Sequence, residues 1–423
     1  MHRYLFPPLL SLLVGCVSPE SAPRYHLPAE WEPHRAVIVE FDNDPWLDSV
    51  STEVVYHISQ ETSVYCLILD ESLRDGYLRS FRGRGVNLSR VRFVIYPGDI
   101  AFSARDYFFF LKDRRGDLAI TDFHWVEYGY HFDSTFRATR LAANVEARSR
   151  AESLYTQVFK SPLVESDLAL EGGAIEVNGR GTVILAEAVN MHRNPGWTKA
   201  QQEEELRRVL GVRHFLWMKD GPADDPHPLG TAVRLTDNYF GNGVGGHVDE
   251  FVRFVDSTTV FLCWPESLEA AADPVKRITR DRMMVNRRIL EGSTDQDGKT
   301  LRIVEIPVPD DTYLTIALDT GSVSDLVRSR SREILVTSDG FALGDTVHIV
   351  PAASYLNFLV TNGIVLVPAY WRPGLPESGR KKDEVMSRIC EAHFPGRRVV
   401  QINPRAFNFT GGGIHCWTMQ VPR

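Results

Sequence analysis

The sequence predicts an α/β protein, and three observations carry that expectation. From Ala36 onward, short apolar strands alternate with amphipathic helices. Two hairpins are read, one around the strong turn signal Asn178-Gly179-Arg180-Gly181. A strand–strand–helix–strand unit recurs over 174–218, 251–306 and 353–402. Such recurrence suits an ordinary α/β sheet, or units closing into a ring that gathers loops from every unit around one channel.

In chain order, Ala36–Phe41 and Val64–Leu69 read as strands with a helix, Ser51–Glu61, between them. Val91–Tyr96 is a strand, and Leu118–Phe123 another after the turn Asp113-Arg114-Arg115-Gly116-Asp117. Ala174–Val177 and Val183–Leu185 form the first hairpin. Thr198–Leu210 is a helix, with Thr198 as N-cap and Glu203 to Glu205 ahead of Arg207 and Arg208 at helical spacing. His214–Met218 is a strand, and Phe251–Val255 with Thr259–Cys263 the second hairpin. Val275–Leu290 is a helix and Leu301–Ile306 a strand. Ile334–Thr337, Ala353–Val360, Ile364–Pro368, Glu384–Phe394 and Val399–Ile402 continue the rhythm.

The 423 residues are 43% hydrophobic and 24% charged, a globular composition with length for a large core. A net charge of −8, with Arg380-Lys381-Lys382 the only dense basic run and read as a solvated loop, argues against a nucleic-acid partner. The N-terminus has the form of a bacterial lipoprotein signal. Met1-His2-Arg3 is basic, and Leu5 to Val14 is apolar but too short to span a bilayer. Leu13-Val14-Gly15-Cys16 resembles a lipobox with Cys16 as the acylated residue. The expected organisation is a signal peptide over 1–16, a linker over 17–26 and one catalytic domain over 27–423, held on the extracytoplasmic side of a membrane by its lipid. A plain signal peptide and a misplaced start codon are the alternatives.

Five cysteines at 16, 66, 263, 390 and 416 give no CxxC pair and no disulfide framework. Cys66 and Cys263 read as buried strand positions and Cys390 as a helix position. Cys416 differs, because Gly411-Gly412-Gly413-Ile414-His415 leads into it. Glycines let backbone approach a planar electrophile beside a thiolate. Cys416 is therefore either a nucleophile or a buried residue of a last strand. His415, adjacent on such a strand, would face the other way, which leaves His247 as the candidate acid/base.

Gly245-Gly246-His247-Val248-Asp249-Glu250 leads into the strand at 251. If the extended run begins at His247, an imidazole and a carboxylate share one face. That pair is a catalytic dyad, a weak metal site or a strand-end ion pair. Glu171-Gly172-Gly173 precedes the first hairpin, and Arg105-Asp106 precedes the aromatic run 107–110; each alone reads more often as surface charge than as a site.

Taken together, these segments resemble the agmatine deiminase and bacterial, Porphyromonas-type, peptidylarginine deiminase family. The matching segments are Leu27-Pro28-Ala29-Glu30-Trp31-Glu32-Pro33, Arg105-Asp106-Tyr107, Glu171-Gly172-Gly173, Asn194-Pro195, Gly246-His247-Val248-Asp249, Ala353-Ser354-Tyr355-Leu356-Asn357-Phe358 and Gly411-Gly412-Gly413-Ile414-His415-Cys416. The resemblance implies a five-bladed pseudo-symmetric α/β propeller of ββαβ repeats with its site in the central channel. It implies Cys416 as nucleophile, His247 as general acid/base and Glu171 as a carboxylate steadying that histidine. Asp106 and Asp249 are implied to grip a guanidinium in bidentate fashion, with Asn357 and Trp31 beside the substrate. The implied reaction is hydrolysis of agmatine to N-carbamoylputrescine and ammonia, or of peptidyl-arginine to peptidyl-citrulline, through a covalent thiouronium, with no metal or cofactor. The same residues would serve an amidinotransferase, in which an amine replaces water, or a non-catalytic lipoprotein that binds cationic ligands. Two departures border Asp106: Ser103 stands where the family often has Trp, and Phe108-Phe109-Phe110 where it usually has Gly-Pro. They place the pocket wall, and with it the substrate's tail, in question.

Overall fold

A computed structural model describes residues 23–96, 104–132, 156–227, 233–310, 313–317, 342 and 344–423. Cys16 with its signal, residues 17–22 of the expected linker, Ser103, and the expected strand Ile334–Thr337 lie outside the described residues. The end of that linker is not loose, because Tyr25–His26 is a short strand pairing antiparallel with Lys112 and Asp113.

The described chain is mixed α/β, as expected. Five sheets share one pairing rule: a first strand pairs antiparallel with a second, which pairs parallel with a third. The strands are Ile175–Val177, Thr182–Ala186 and His214–Met218 in one sheet, and Val252–Phe254, Thr259–Cys263 and Arg302–Ile306 in another. Leu359–Val360, Ile364–Pro368 and Arg398–Ile402 repeat the rule, as do Phe110–Asp113, Leu118–His124 and Leu163–Ala169. In the fifth sheet the C-terminal strand Thr418–Pro422 pairs antiparallel with His34–Glu40, which pairs parallel with Ser63–Ile68, itself parallel to Val91–Ile95. The C-terminal strand thus joins the sheet of His34–Glu40, which brings Cys416 beside that strand. A sixth sheet joins Val233–Thr236, Tyr239–Gly241, Thr346–Val350 and Leu314–Ala317.

The middle strands Thr182–Ala186, Thr259–Cys263 and Ile364–Pro368 are buried throughout. A strand covered on both faces reads as a continuous apolar run rather than an alternation. The crossover helices supply the cover. Pro274–Glu291 buries Met283 and Leu290, and Glu377–His393 buries Met386 and Cys390, against one large core that also holds Phe251, Phe358 and Phe394.

Three expectations need correction. The first helix runs Pro45–Ser59 and begins earlier than expected, because Asp44 caps Trp46 and Leu47 N–H and Pro45 fits the first turn. The last long helix begins at Glu377, so Arg380-Lys381-Lys382 is helical; Arg380 pairs with Glu377 and Glu384, and Lys382 with Asp310. Within Ala353–Val360, only Leu359–Val360 is strand. The rest is a buried loop, with the Ser354 hydroxyl donating to Glu250 O and Leu356 N–H to Ser354 Oγ in place of ladder bonds.

Candidate active site

Six of the expected site residues lie in the short segments entering the first strands of the five sheets. Asp106 precedes Phe110–Asp113, and Glu171 precedes Ile175–Val177. His247 and Asp249 precede Val252–Phe254, Asn357 precedes Leu359–Val360, and Cys416 precedes Thr418–Pro422. The fold brings these segments together: Arg105 N–H donates to Cys416 O at 3.1 Å, Gly173 N–H to Asp106 Oδ1 at 2.7 Å, and His415 N–H to Asn357 Oδ1 at 2.8 Å.

The glycines are required by closeness. A Cβ on Gly172 would lie 2.1 Å from Arg105 O, one on Gly413 2.5 Å from Asn357 Oδ1, and one on Gly412 2.9 Å from Cys416 Cβ. Gly245 and Gly246 adopt positive φ, and the loop they form is held by Asp225, whose carboxylate accepts the N–H groups of Val244, Gly245, Gly246 and His247. His247 and Asp249 are not in a strand. Val248–Glu250 is a 3-10 turn with His247 at its N-cap, so the two side chains converge through the turn rather than through strand alternation.

Around the thiol, Asn357 Nδ2 donates to Cys416 Sγ at 3.1 Å, and Asp249 Oδ2 lies 3.5 Å from Sγ. The same amide reaches Asp249 Oδ2 at 3.1 Å and Glu250 Oε1 at 2.9 Å. Residues 414–417 form a turn rather than a strand, so strand alternation does not set His415 apart, and it belongs to the site: Nδ1 meets Asp249 Oδ2 at 2.7 Å and Nε2 meets Glu30 Oε1 at 2.6 Å. His247 Nε2 bonds Glu171 Oε2 at 2.8 Å, and Arg193 Nε holds the other oxygen at 2.7 Å. Asp106 Oδ1 lies 3.9 Å from His247 Nδ1, and Asp106 Oδ2 accepts the Tyr128 hydroxyl at 2.9 Å.

Two polar atoms of this buried set have no hydrogen-bond partner, His247 Nδ1 and Asp249 Oδ1. They face one space. A Cβ placed on Gly173 would lie 2.4 Å from the first and 3.0 Å from the second. Buried polar atoms are rarely left unpaired, so this pair marks a ligand site: Asp249 Oδ1 is free to accept an N–H from a ligand, and His247 Nδ1 faces the same space with a proton to give.

Burial dominates the electrostatics, and neighbouring charges decide the signs. Burial would lower His247, but Asp106 and Glu171 outweigh it and raise its pKa to about 9, so it is an imidazolium at neutral pH. Burial would raise Glu171, but the Arg193 charge and the His247 bond bring it down to about 2. Burial would also raise Asp249; its bond to His415, together with the charges of His415, His247 and Arg253, reverses the shift and holds it ionised. Glu250 goes the other way, pushed well up by burial and the Asp249 charge. Burial, Asp249, Glu250 and Asp106 push the Cys416 thiol well above its ordinary range, so the unliganded site holds a thiol. A cation placed between Asp106 and Asp249 would cancel that penalty.

Asp249, Glu250 and Cys416 place one ligand atom each within 4.8 Å of one another, the only such metal-capable group among the described residues. Binding a metal there would displace protons from two of the three and take the thiol out of use, whereas a planar cation bridging the carboxylates leaves it available.

Two expectations fail. Trp31 packs half-buried against the large core, and its carbonyl accepts from Arg397; the residue of that segment that reaches the site is its neighbour Glu30. Phe108 and Phe110 are interior residues packed with Tyr96, Trp125 and Phe159, while Phe109 enters a second core with Phe123. The Phe run is therefore core filling. The aromatic beside Asp106 and His247 is Tyr128, its ring 5.9 Å from the imidazole. Glu30, Tyr128, Arg193, Asp225 and the role of His415 escaped sequence reasoning. Glu30 and His415 stood inside segments already singled out, without a role, whereas nothing local marks Tyr128, Arg193 or Asp225.

Residues 26–422 match the family model described as Porphyromonas-type peptidyl-arginine deiminase. The chain is 28% identical to the agmatine deiminase of Stutzerimonas stutzeri, over 95% of this chain and 97% of that one. It is 26% identical to that of Pseudomonas aeruginosa, over 96% and 98%. Among solved structures it is similar to the agmatine deiminase of Enterococcus faecalis, with a TM-score of 0.71 at 21% identity, covering 95% of this chain and 96% of that one.

Proposed function

The chain belongs to the Porphyromonas-type peptidyl-arginine deiminase family, hydrolases of C–N bonds in amidines, and from that premise we propose that it deiminates agmatine through Cys416. The observation that carries the reading is the pair of unpartnered atoms, His247 Nδ1 and Asp249 Oδ1, opposite Gly173 and beside the thiol. A guanidinium is planar and presents N–H donors on its edges, so Asp106 and Asp249 suit it as two acceptors. Its charge relieves the repulsion that keeps Cys416 protonated, and the thiol loses its proton to solvent as the substrate settles.

The Cys416 thiolate then forms an S–C bond to the guanidinium carbon. The C–N bond to a terminal nitrogen breaks, His247 gives that nitrogen its proton, and ammonia leaves. Water, deprotonated by the neutral His247, adds to the thiouronium carbon. The C–S bond breaks, and agmatine leaves as N-carbamoylputrescine. Glu171, anchored by Arg193, fixes the imidazole in both steps. The five segments entering five like-paired sheets support a five-bladed ring over residues 27–423, with the site at its centre. The Cys16 motif supports lipid anchoring outside the cytoplasm, which a Cys16→Ala variant tests by losing membrane association.

The experiment is ammonia release from agmatine, free arginine and an arginine peptide. The agmatine relatives set the expectation of turnover on agmatine; a preference for the peptide moves the assignment to peptidyl-arginine. No turnover on any of the three sinks the reading.

A further inference from the structure

We propose that Glu30 is a positioning residue of this site, acting through His415 to fix the Asp249 carboxylate beside the Cys416 thiol. The inference rests on the function proposed above and extends the site by two residues.

His415 lies between two carboxylates, with Asp249 Oδ2 2.7 Å from Nδ1 and Glu30 Oε1 2.6 Å from Nε2. Two acceptors facing both ring nitrogens are satisfied together only when both nitrogens carry a proton. Glu30 thereby keeps on the ring the N–H that Asp249 receives. His415 and Asp249 are fully buried, so neither can exchange this partner for water. Glu30 is itself fixed. Arg105 Nη1 reaches Oε1 at 2.8 Å, and Oε2 takes Arg253 Nη2 at 2.6 Å and Gln420 Nε2 at 3.1 Å. Arg253 also donates to Leu356 O and Phe358 O, the carbonyls on either side of Asn357. One carboxylate thus ties together the segments carrying Asp106, Asn357 and Cys416.

Asp249 Oδ2 accepts from His415 while lying 3.5 Å from Sγ. Without the His415 charge, the nearest charge to the thiol is an uncompensated carboxylate. Glu30 lies beyond the imidazole and is flanked by Arg105 and Arg253, so its own charge acts on the sulfur more weakly than the loss of the ring's charge.

The test separates relay from scaffold. Glu30→Gln, His415→Gln and the double variant are compared for kcat and KM on whichever guanidine the wild type turns over. The rate of Cys416 alkylation by iodoacetamide without substrate is read alongside, with the site assigned by peptide mass and folding followed by thermal melting. Each single change is expected to lower kcat/KM by about tenfold or more and to slow alkylation, with the double variant within about twofold of His415→Gln alone. Single effects that multiply in the double variant overturn the relay. If Glu30→Gln does not fold, His415→Gln, which leaves Glu30 on both arginines, decides alone: rates within about twofold of wild type overturn the proposal. If the wild type turns over no guanidine, the proposed function fails, and the alkylation rates still decide the relay.

Discussion

His247 and Arg193 share one carboxylate: Nε2 of the imidazole meets Glu171 Oε2 at 2.8 Å, and Nε of the guanidinium meets Oε1 at 2.7 Å. The arginine keeps Glu171 ionised, and Glu171, with Asp106, keeps His247 protonated.

The first prediction concerns pH. His247 is raised to about 9, so kcat/KM should fall as pH rises through about 9 and the proton donor is lost. Glu171→Gln removes one of the two nearest anions and should move that limb to lower pH. Stability follows the same shifts. The His247 contribution is full below about 6.5 and is lost as pH rises through about 9; that of Glu171 is full above about 4.5 and is lost as pH falls towards about 2. Denaturant unfolding at stepped pH reads both, and an alkaline limb unmoved in Glu171→Gln counts against the coupling.

The second prediction concerns the nucleophile. A haloacetamidine should label Cys416 and spare Cys66 and Cys390, whose thiols are buried in cores with no carboxylate pair to attract an amidinium. Cys416→Ser should lose labelling and at least about 10³-fold in kcat. A peptide map with the adduct elsewhere and Cys416 bare rejects the mechanism.

Much of this was legible, for local reasons. Hairpins announce themselves in turn residues, and buried middle strands such as Val183–Leu185 in unbroken apolar runs. Cys416, His247, Asp249 and Glu171 stood out because glycines precede or follow them, and the glycines exist because backbones and side chains meet there. The partners were not legible. Glu30 meets His415 across 385 positions and Asp225 meets His247 across 22, and no periodicity encodes such pairs. The Phe108–Phe110 run misled in the opposite sense: it looked like a pocket wall because it follows Asp106, but three Phe at a strand entry are turned into two cores.

The third prediction concerns Tyr128. Glu127, Tyr128 and Gly129 all adopt positive φ, a costly conformation for the first two. It sets the buried Tyr128 hydroxyl on Asp106 Oδ2 at 2.9 Å, supporting a carboxyl whose ionisation burial already disfavours. Tyr128→Phe keeps the ring and removes the donor. KM for the guanidine should rise about tenfold with a smaller change in kcat, because Asp106 acts in binding. A fall in kcat at unchanged KM would instead place Tyr128 in the chemical steps.

The fourth prediction concerns the space itself. Gly173 does not have positive φ, so its backbone accepts alanine. The added methyl, however, falls 2.4 Å from His247 Nδ1 and 3.0 Å from Asp249 Oδ1. His247 is fixed by Glu171 and Asp249 by His415, so neither retreats cheaply, and overpacking of this kind costs about 1–3 kcal/mol. Gly116→Ala makes the opposite control: φ is +87° at an exposed turn with nothing within 4 Å, so it should cost stability through backbone strain and leave the site alone. If the guanidinium settles in the space faced by the two unpartnered atoms, Gly173→Ala should lower kcat/KM by about 100-fold or more and abolish haloacetamidine labelling, while Gly116→Ala keeps both. Melting curves fix how much of each loss is unfolding. A folded Gly173→Ala enzyme within threefold of wild type would put the substrate elsewhere, and with it the role assigned to Asp249.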